Sequence, residues 1–516
     1  MTENDIHTID KKEQKAKRRQ RTAAVFTLLA NLVFFLTIWL LSKYDQISLD
    51  QVIFQMKTSA AGANSNLMNS AYLRVGVFGI VATLIEVGLY KWIKKNVHSW
   101  FETKNNFKLK FARWGMYVKN HAYKLSVWML IVSVVFFIVK LEVSRWVTAS
   151  VTSSLFIEGY YVSPDEVEIK FPDKKRNLIY IFLESMENTY AQPGVGEKII
   201  DDYIPELTQL REKNISFGGG LTYTGSTWTA AAMMTQTSGT MLKVPLTAEN
   251  YGGEDEFVPG VISIGEILQK EGYQQKLVVG SDADFGERAS YFTEHGNYEI
   301  TDIKSLKAEG RLPEDYKVWW GFEDEKLFVF AKEELTELAS RGEPFNFTML
   351  TADTHFPDGY RCERCEEIYE EQYANVLRCS SKQIYEFIEW IKEQPYYENT
   401  TIVLSGDHLT MDPAFLEDLD EGYTRTVYNC IINSAILPTG GKMTREFATF
   451  DMFPTTLAAM GVSIEGDRLA LGTNLFSEQE TLTEMFGYER LDGELQKRSE
   501  WYNEELLEMP EDAIFS

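Results

Sequence analysis

The residues best suited to chemistry in this 516-residue chain stand at the ends of short apolar runs. Glu184 closes YIFLE, Asp353 and His355 close TMLTADTH, and Asp407 with His408 closes IVLSGDH. One carboxylate in such a place ordinarily caps the next helix. Several that converge at one sheet edge, two of them with a histidine attached, make a metal site, because carboxylate oxygens and an imidazole suit manganese, magnesium or zinc. A hydrolase or transferase built on such a metal also needs a nucleophile, and GGGLTYTGSTWTAAAMMTQTSGT at 218–240 offers two. Thr229 opens a run of good helix formers, where its hydroxyl can meet a metal while free N–H groups and the helix dipole favour a phosphate. The same place suits a threonine that merely caps the helix. Thr227 is the second nucleophile candidate.

Apolar strands and helical patterns alternate around these residues. Strands are expected at 177–184, 275–282, 345–353, 400–408 and 426–437, and helices at 203–213, 261–271, 323–340, 380–394 and 451–461. Continuous apolar strands separated by helices predict a mainly parallel sheet covered on both faces, an α/β/α domain. Ligands of such sheets bind beyond the carboxyl ends of the strands, where the acids above stand.

The N-terminal third has another composition. Residues 23–42, about 75–90 and 125–141 are apolar runs close to the length of a transmembrane helix. Arg74 and Glu86 interrupt the second, so Glu86 must face another helix if that run spans. KKEQKAKRRQR precedes the first run, and the loop after the second holds Lys91, Lys94, Lys95, Lys104, Lys108, Lys110, Arg113, Lys119 and Lys124. Both segments read as cytoplasmic by the positive-inside rule. The loop at 43–70, with Lys43, Asp45, Asp50 and Lys57, is balanced and fits the outer side. Three spans starting inside put everything after about residue 145 outside the cell membrane. The expected division is a membrane domain at 1–145, a juxtamembrane linker at 146–176 and an extracytoplasmic domain at 177–516.

The formal net charge of −25 conceals a basic first third and an acidic remainder, which argues against nucleic acid as a partner. All four cysteines, Cys362, Cys365, Cys379 and Cys430, fall in the exported part, where disulfides are permitted. Cys430 lies in an apolar run and reads as a core thiol. The Cys-x2-Cys pair with Cys379 lacks an evident fourth zinc ligand, so one disulfide from Cys379 to Cys362 or Cys365 is expected.

In order along the chain, Leu183-Glu184-Ser185, Thr229 in GSTWTAAAM, TADTHFPDG at 351–359 and SGDH at 405–408 resemble the phosphoglycerol transferases of the sulfatase-like, alkaline-phosphatase superfamily. The resemblance runs over about 175–475; it is to lipoteichoic acid synthases and, more closely, to transferases that decorate periplasmic glucans. It implies an alkaline phosphatase/sulfatase-type sandwich in which Glu184, Thr229, Asp407 and His408 hold one metal, commonly manganese, with magnesium or zinc as alternatives. Thr229 would be the nucleophile that becomes phosphoglycerylated. Phosphatidylglycerol would be the donor, and a cell-envelope glycan or polyglycerolphosphate the acceptor. His355 would touch substrate and assist the leaving group or acceptor, and Arg288, in DFGER, would sit on the phosphate. WWGFED at 319–324 also matches, with Trp320 and Asp324 expected to be structural. Lipoteichoic acid synthases usually have five spans and this chain three, which leaves the acceptor less specified than the chemistry.

Three other functions compete. A true sulfatase needs a C/S-x-P-x-R pattern, which does not follow the first strand. A phosphoethanolamine transferase generally carries more histidines for a second zinc and several disulfides, whereas this chain has six histidines, three of them before residue 150. A membrane sensor with a dead site would lack part of the Glu184, Thr229, Asp407 and His408 set, which is intact.

Overall fold

Length and flanking charge decide which apolar runs become spans and which become strands. A computed structural model of the chain describes residues 3–44, 49–58, 65–102, 106–243, 256–412, 414–416, 418–441 and 443–507. Asp45, Lys104 and the last nine residues of the expected catalytic domain lie outside the described residues. The N-terminal part contains α1 (Glu3–Lys43), a short α2 (Leu49–Lys57), α3 (Phe78–Asn96) and α4 (Asn106–Lys140), followed directly by α5 (Val143–Val151). Three helical stretches, Glu13–Lys43, Met68–Asn96 and Leu109–Lys140, are long and apolar enough to cross a membrane. Glu86 does turn toward another helix: Asn31 of α1 donates from Nδ2 to Glu86 Oε2 at 2.9 Å and to Thr83 Oγ1 at 3.0 Å.

The chain divides into two units. One is Met1–Ile47 with Asn64–Arg145; the other is Ser48–Ala63 with Trp146–Ser516. The second unit is built on a six-stranded sheet of β1 (Asn177–Leu183), β2 (Gln274–Val279), β3 (Glu299–Thr301), β4 (Phe345–Leu350), β5 (Thr400–Gly406) and β6 (Asn429–Ile432). The strand order is β3-β2-β4-β1-β5-β6, parallel throughout except for β6, which runs antiparallel to β5. β1, β4 and β5 are adjacent and buried at every position, which is why each reads as an unbroken apolar run. Helices around the sheet include α6 (Thr229–Ser238), α7 (Arg288–Glu294), α8 (Asp324–Ser340) and α9 (Gln372–Lys392).

Register positions the strand ends. Leu183 pairs with Gly406, and Phe182 with both Ser405 and Leu350, so the three chains leave the sheet side by side. Gly406 permits this closeness, since a Cβ there would stand 2.0 Å from the Met186 carbonyl oxygen.

Some features depart from the expectations. β3 was not expected, and α9 begins eight residues before the expected helix at 380, because Tyr373, Ala374 and Leu377 are buried in the core. Residues 146–176, the expected juxtamembrane linker, are part of the second unit. Val162 and Ala470 exchange backbone hydrogen bonds at 2.9 and 2.7 Å, and Ile169–Lys170 pairs with Ser463–Ile464. The expected disulfide is not formed: all four cysteines are free. Cys362 Sγ lies 3.6 Å from Cys365 Sγ and 3.8 Å from Cys379 Sγ, far beyond the roughly 2.05 Å of an S–S bond. Three thiols share one buried point instead of pairing. Cys430 is a core thiol on β6, as its apolar surroundings require.

A further departure is α2, which precedes the second apolar helix yet belongs to the second unit. Phe54 is fully buried, its ring 5.7 Å from that of Trp228 and 6.3 Å from that of Phe257. Trp146 Nε1 donates to Asp50 Oδ1 at 3.0 Å. Replacing a buried phenylalanine with alanine typically costs about 3–5 kcal/mol. Phe54→Ala should therefore lower the denaturation midpoint of the detergent-purified chain, followed by tryptophan fluorescence. An unchanged midpoint would mean that residues 49–58 are not part of this unit.

Candidate active site

Glu184 leaves β1 and Asp407 leaves β5, on neighbouring strands, so their side chains meet just past the sheet edge. Backbone donors aim them. Asp407 Oδ1 accepts from the N–H groups of Ser185 and His408, each at 2.7 Å, and Glu184 Oε1 accepts from Ser185 Oγ at 2.8 Å. His408 donates through Nδ1 to the Leu409 carbonyl at 2.8 Å, which turns Nε2 toward the carboxylates. It lies 3.4 Å from Asp407 Oδ2 and 3.7 Å from Glu184 Oε1.

Thr229 is the first residue of α6, as the run of helix formers predicts. Trp228, in extended backbone, precedes it and supplies no side-chain cap. The first-turn N–H groups therefore retain the capacity to bind an anion. Thr229 Oγ1 donates to Glu184 Oε2 at 3.2 Å and stands 3.3 Å from His408 Nε2. α6 ends at Gly239, whose φ of +73° provides the left-handed turn that stops the helix. Thr227, the second nucleophile candidate, has its hydroxyl oxygen buried with no hydrogen-bond partner, and no contact joins it to the acids.

The group fits a divalent cation. The ligand atoms of Glu184, Asp407 and His408 lie within 4.8 Å of one another, and all three residues are buried. Asp407 Oδ2 is buried and lacks a hydrogen-bond partner, an orphan acceptor aimed at the shared centre. Burial, and next the nearby Glu184 charge, push the Asp407 carboxyl up to about 7. Burial pulls His408 down, but Asp407 and Glu184 outweigh it and hold the imidazole above its ordinary value. Two carboxylates this close in a dry site call for a positive charge between them.

Asp353 stays out of this cluster. Its Oδ1 accepts from the Asp324 N–H at 3.1 Å, while Asp324 accepts from the N–H groups of Ala352 at 2.8 Å and Asp353 at 3.1 Å. Asp324 is fully buried and frames the loop after β4, in keeping with its expected structural role. Burial raises both carboxyls, Asp324 to about 7.

That loop presents His355. Its Nδ1 bonds to the Phe356 carbonyl at 2.6 Å, which assigns the proton there and leaves Nε2 as the basic nitrogen. The ring stacks on Phe356 at 4.8 Å and meets Trp320 at 4.4 Å. Burial pushes its pKa down to about 4, so the imidazole is neutral at pH 7. Trp320, expected only as a structural residue, is thus a wall of the His355 position, and Phe285 backs it at 5.5 Å. Nothing in local sequence pattern distinguishes such a wall from ordinary core.

Arg288, at the start of α7, is buried, with its guanidinium fastened to Phe285 O, Ser281 Oγ and Asp282 O at 2.8–3.0 Å. Burial lowers it to about 10, and the Glu184 charge is the first of those that oppose the shift, with Asp407 among them. The arginine therefore shares the electrostatic field of the acid pair. Phe54 of α2, absent from any sequence-based list of site residues, reaches the edge of the site through Trp228.

Known proteins resemble this chain in both sequence and shape. A family model described as Sulfatase matches residues 176–462. Phosphoglycerol transferase I of Citrobacter koseri is 32% identical over 260 residues, which cover 49% of this chain and 33% of that protein. Phosphoglycerol transferase I of Escherichia coli is 30% identical over 338 residues, 64% of this chain and 42% of that protein. The chain thus spans less than half the length of these curated relatives. Among solved structures, the lipoteichoic acid synthase LtaP from Listeria monocytogenes aligns with a TM-score of 0.48 and 18% identity, over 62% of this chain and 74% of that one. With its matched segment running from the residue before β1 through both acid-bearing strand ends and on to residue 462, the chain belongs to the sulfatase family.

Proposed function

We propose that this chain is a membrane-anchored, metal-dependent phosphoglycerol transferase that moves phosphoglycerol from phosphatidylglycerol to a cell-envelope glycan or polyglycerolphosphate acceptor through a covalent intermediate on Thr229. The observation that carries this reading is the placement of Thr229 Oγ1, 3.2 Å from Glu184 Oε2 and 3.3 Å from His408 Nε2, at an uncapped helix N-terminus. The relatives named phosphoglycerol transferase I support the choice of transferred group.

Glu184, Asp407, His408 and Thr229 would hold the cation, manganese by family resemblance. Bound there, it supplies positive charge that lowers the pKa of a hydroxyl and offsets the charge of a phosphate. Glu184 Oε2 accepts from the Thr229 hydroxyl and so draws its proton away from the side facing substrate. The N–H groups opening α6 bind phosphate oxygens, and Arg288 adds fixed positive charge nearby. In the first step the Thr229 oxygen–phosphorus bond forms as the bond from phosphorus to the diacylglycerol oxygen breaks, the Thr229 proton passing to Glu184 Oε2 and the diacylglycerol oxygen taking one from water. In the second, the acceptor hydroxyl attacks phosphorus as the Thr229 oxygen–phosphorus bond breaks, Thr229 regains its proton from Glu184, and neutral His355 Nε2 takes the acceptor's proton and passes it to water.

Two alternatives lose support. A sulfatase would place Cys or Ser, followed by x-P-x-R, where this chain has Thr229-Ala230-Ala231-Ala232-Met233. A second zinc of the phosphoethanolamine type needs free imidazoles, but His295, the remaining histidine after residue 150, is bonded at both ring nitrogens, to Glu266 Oε2 and Phe257 O at 3.0 Å.

The same reading takes 1–145 as the membrane domain, 146–176 as juxtamembrane and 177–516 as catalytic, with three spans, a cytoplasmic N-terminus and the catalytic part outside. The packing of α2 supports it. Residues between the first and second apolar helices share a folded unit with residues after the third, which supports placing both on one side of the membrane.

Four outcomes test the reading. Thr229→Ala should still bind phosphatidylglycerol but lose diacylglycerol release by roughly a thousandfold or more. Wild-type protein quenched after donor alone should gain one phosphoglycerol on the peptide that holds Thr229; turnover by the alanine variant would end the covalent mechanism. Asp407→Ala should lose both activity and the bound cation while retaining the fold, as seen by metal analysis and circular dichroism. Cation binding must also displace protons from Asp407, held up to about 7, and from the raised His408. Apparent metal affinity should therefore fall from pH 8 to pH 6, by up to about tenfold per unit for each proton released. An affinity independent of pH would place the cation elsewhere.

A further inference from the structure

The loop that carries His355 continues into Cys362 and Cys365, and both thiols turn onto Cys379 of α9. The geometry points to a second metal site here, in which the three thiolates hold a soft divalent cation such as zinc and clamp the His355 loop to α9. All three sulfurs lie within 4.8 Å of one another, and the residues are only 5–8% exposed. Four sulfur-sized ligands about 2.3 Å from a tetrahedral ion stand roughly 3.8 Å apart. The Cys362–Cys365 and Cys362–Cys379 separations of 3.6 and 3.8 Å match that edge. The Cys362–Cys365 turn, closed by the Cys365 N–H donating to Cys362 O at 3.1 Å, puts both sulfurs on one side, as a chelating Cys-x2-Cys pair requires.

A second observation points into the same centre. Gln383 follows Cys379 by one helical turn on α9, is 2% exposed, and aims its terminal amide at the thiols. Its Nε2 lies 3.4 Å from Cys379 Sγ and 3.9 Å from Cys362 Sγ, while its buried Oε1 has no partner. An amide facing three sulfurs with one polar atom unsatisfied is costly in a protein interior. It is explained if the amide serves the site, its N–H groups donating to thiolate or its rotated oxygen taking the fourth position. A disulfide would use two of the thiols and leave the third and Gln383 without a purpose.

The clamp has a mechanical role that does not depend on the reaction proposed above. The loop is also joined to α9 by Tyr373 Oη donating to Thr354 O at 2.8 Å, by Gln372 Nε2 donating to the carbonyls of Asp358 and Gly359, each at 3.2 Å, and by Arg364 donating to Glu386 Oε2 at 2.6 Å. A metal bond at Cys379 would add a stiff anchor beyond His355 on the same loop.

The test uses the full chain purified in detergent without reductant. Metal analysis should find one thiophilic ion that is retained in Asp407→Ala and lost in Cys379→Ser, with Cys430→Ser as an unaffected control. Cobalt added to chelator-stripped wild type should produce thiolate-to-cobalt charge-transfer absorption that is absent in Cys379→Ser. Mass spectrometry of the denatured, alkylated chain should show four free thiols. A mass increase of two hydrogens on reduction, with only two thiols alkylated beforehand, would establish a disulfide and overturn the proposal. So would free thiols that neither retain a metal nor produce the cobalt absorption. Cobalt reconstitution and thiol counting on wild type decide the matter even if Cys379→Ser does not fold.

Discussion

Two carboxylates, Glu184 and Asp407, are brought together almost without water at the ends of neighbouring parallel strands, and that electrostatic conflict organises the site around it. Like charges in a dry place repel strongly, so one must be neutralised or a cation must lie between them. Every nearby element supplies positive character. His408 turns Nε2 inward, Arg288 is buried close by, and α6 presents its N-terminal end. Thr229 stands where these influences meet, which turns an ordinary hydroxyl into a candidate nucleophile.

The surrounding scaffold holds that arrangement with buried polar contacts. Asp324 and Asp353 bond to each other's backbone and shape the loop that offers His355, and Trp320 walls its ring. Glu187 and Arg425, paired at 2.7 Å, brace the segment after His408, with Arg425 also donating to Thr410 O at 2.8 Å. Satisfied polar networks of this kind fix geometry more than they add stability. The geometry of the candidate site depends on them.

The second unit also takes in chain from outside the segment that matches the sulfatase family. α2 comes from between two apolar helices, and its Phe54 packs against the ring of Trp228, the residue just before Thr229. A fragment that starts at the first strand would leave that face of Trp228 open.

The sequence by itself determined the parallel core, the apolar spans and the acids at the strand ends. Burial on both faces writes a strand as an unbroken apolar run, and a polar residue ends it where the chain leaves the core; Glu184 and Asp407 were legible for that reason. Thr229 was legible because helix formers follow it directly. Only the tertiary structure decided what depends on distance between residues far apart in the chain. It excluded Asp353 from the acid cluster by bonding it to Asp324, and set the Trp320 ring beside that of His355. It reversed β6, seated α2 in the second unit, and gathered three thiols where a pair was expected. Periodicity reports whether a side chain is buried, but the partner it is buried against is set by packing alone.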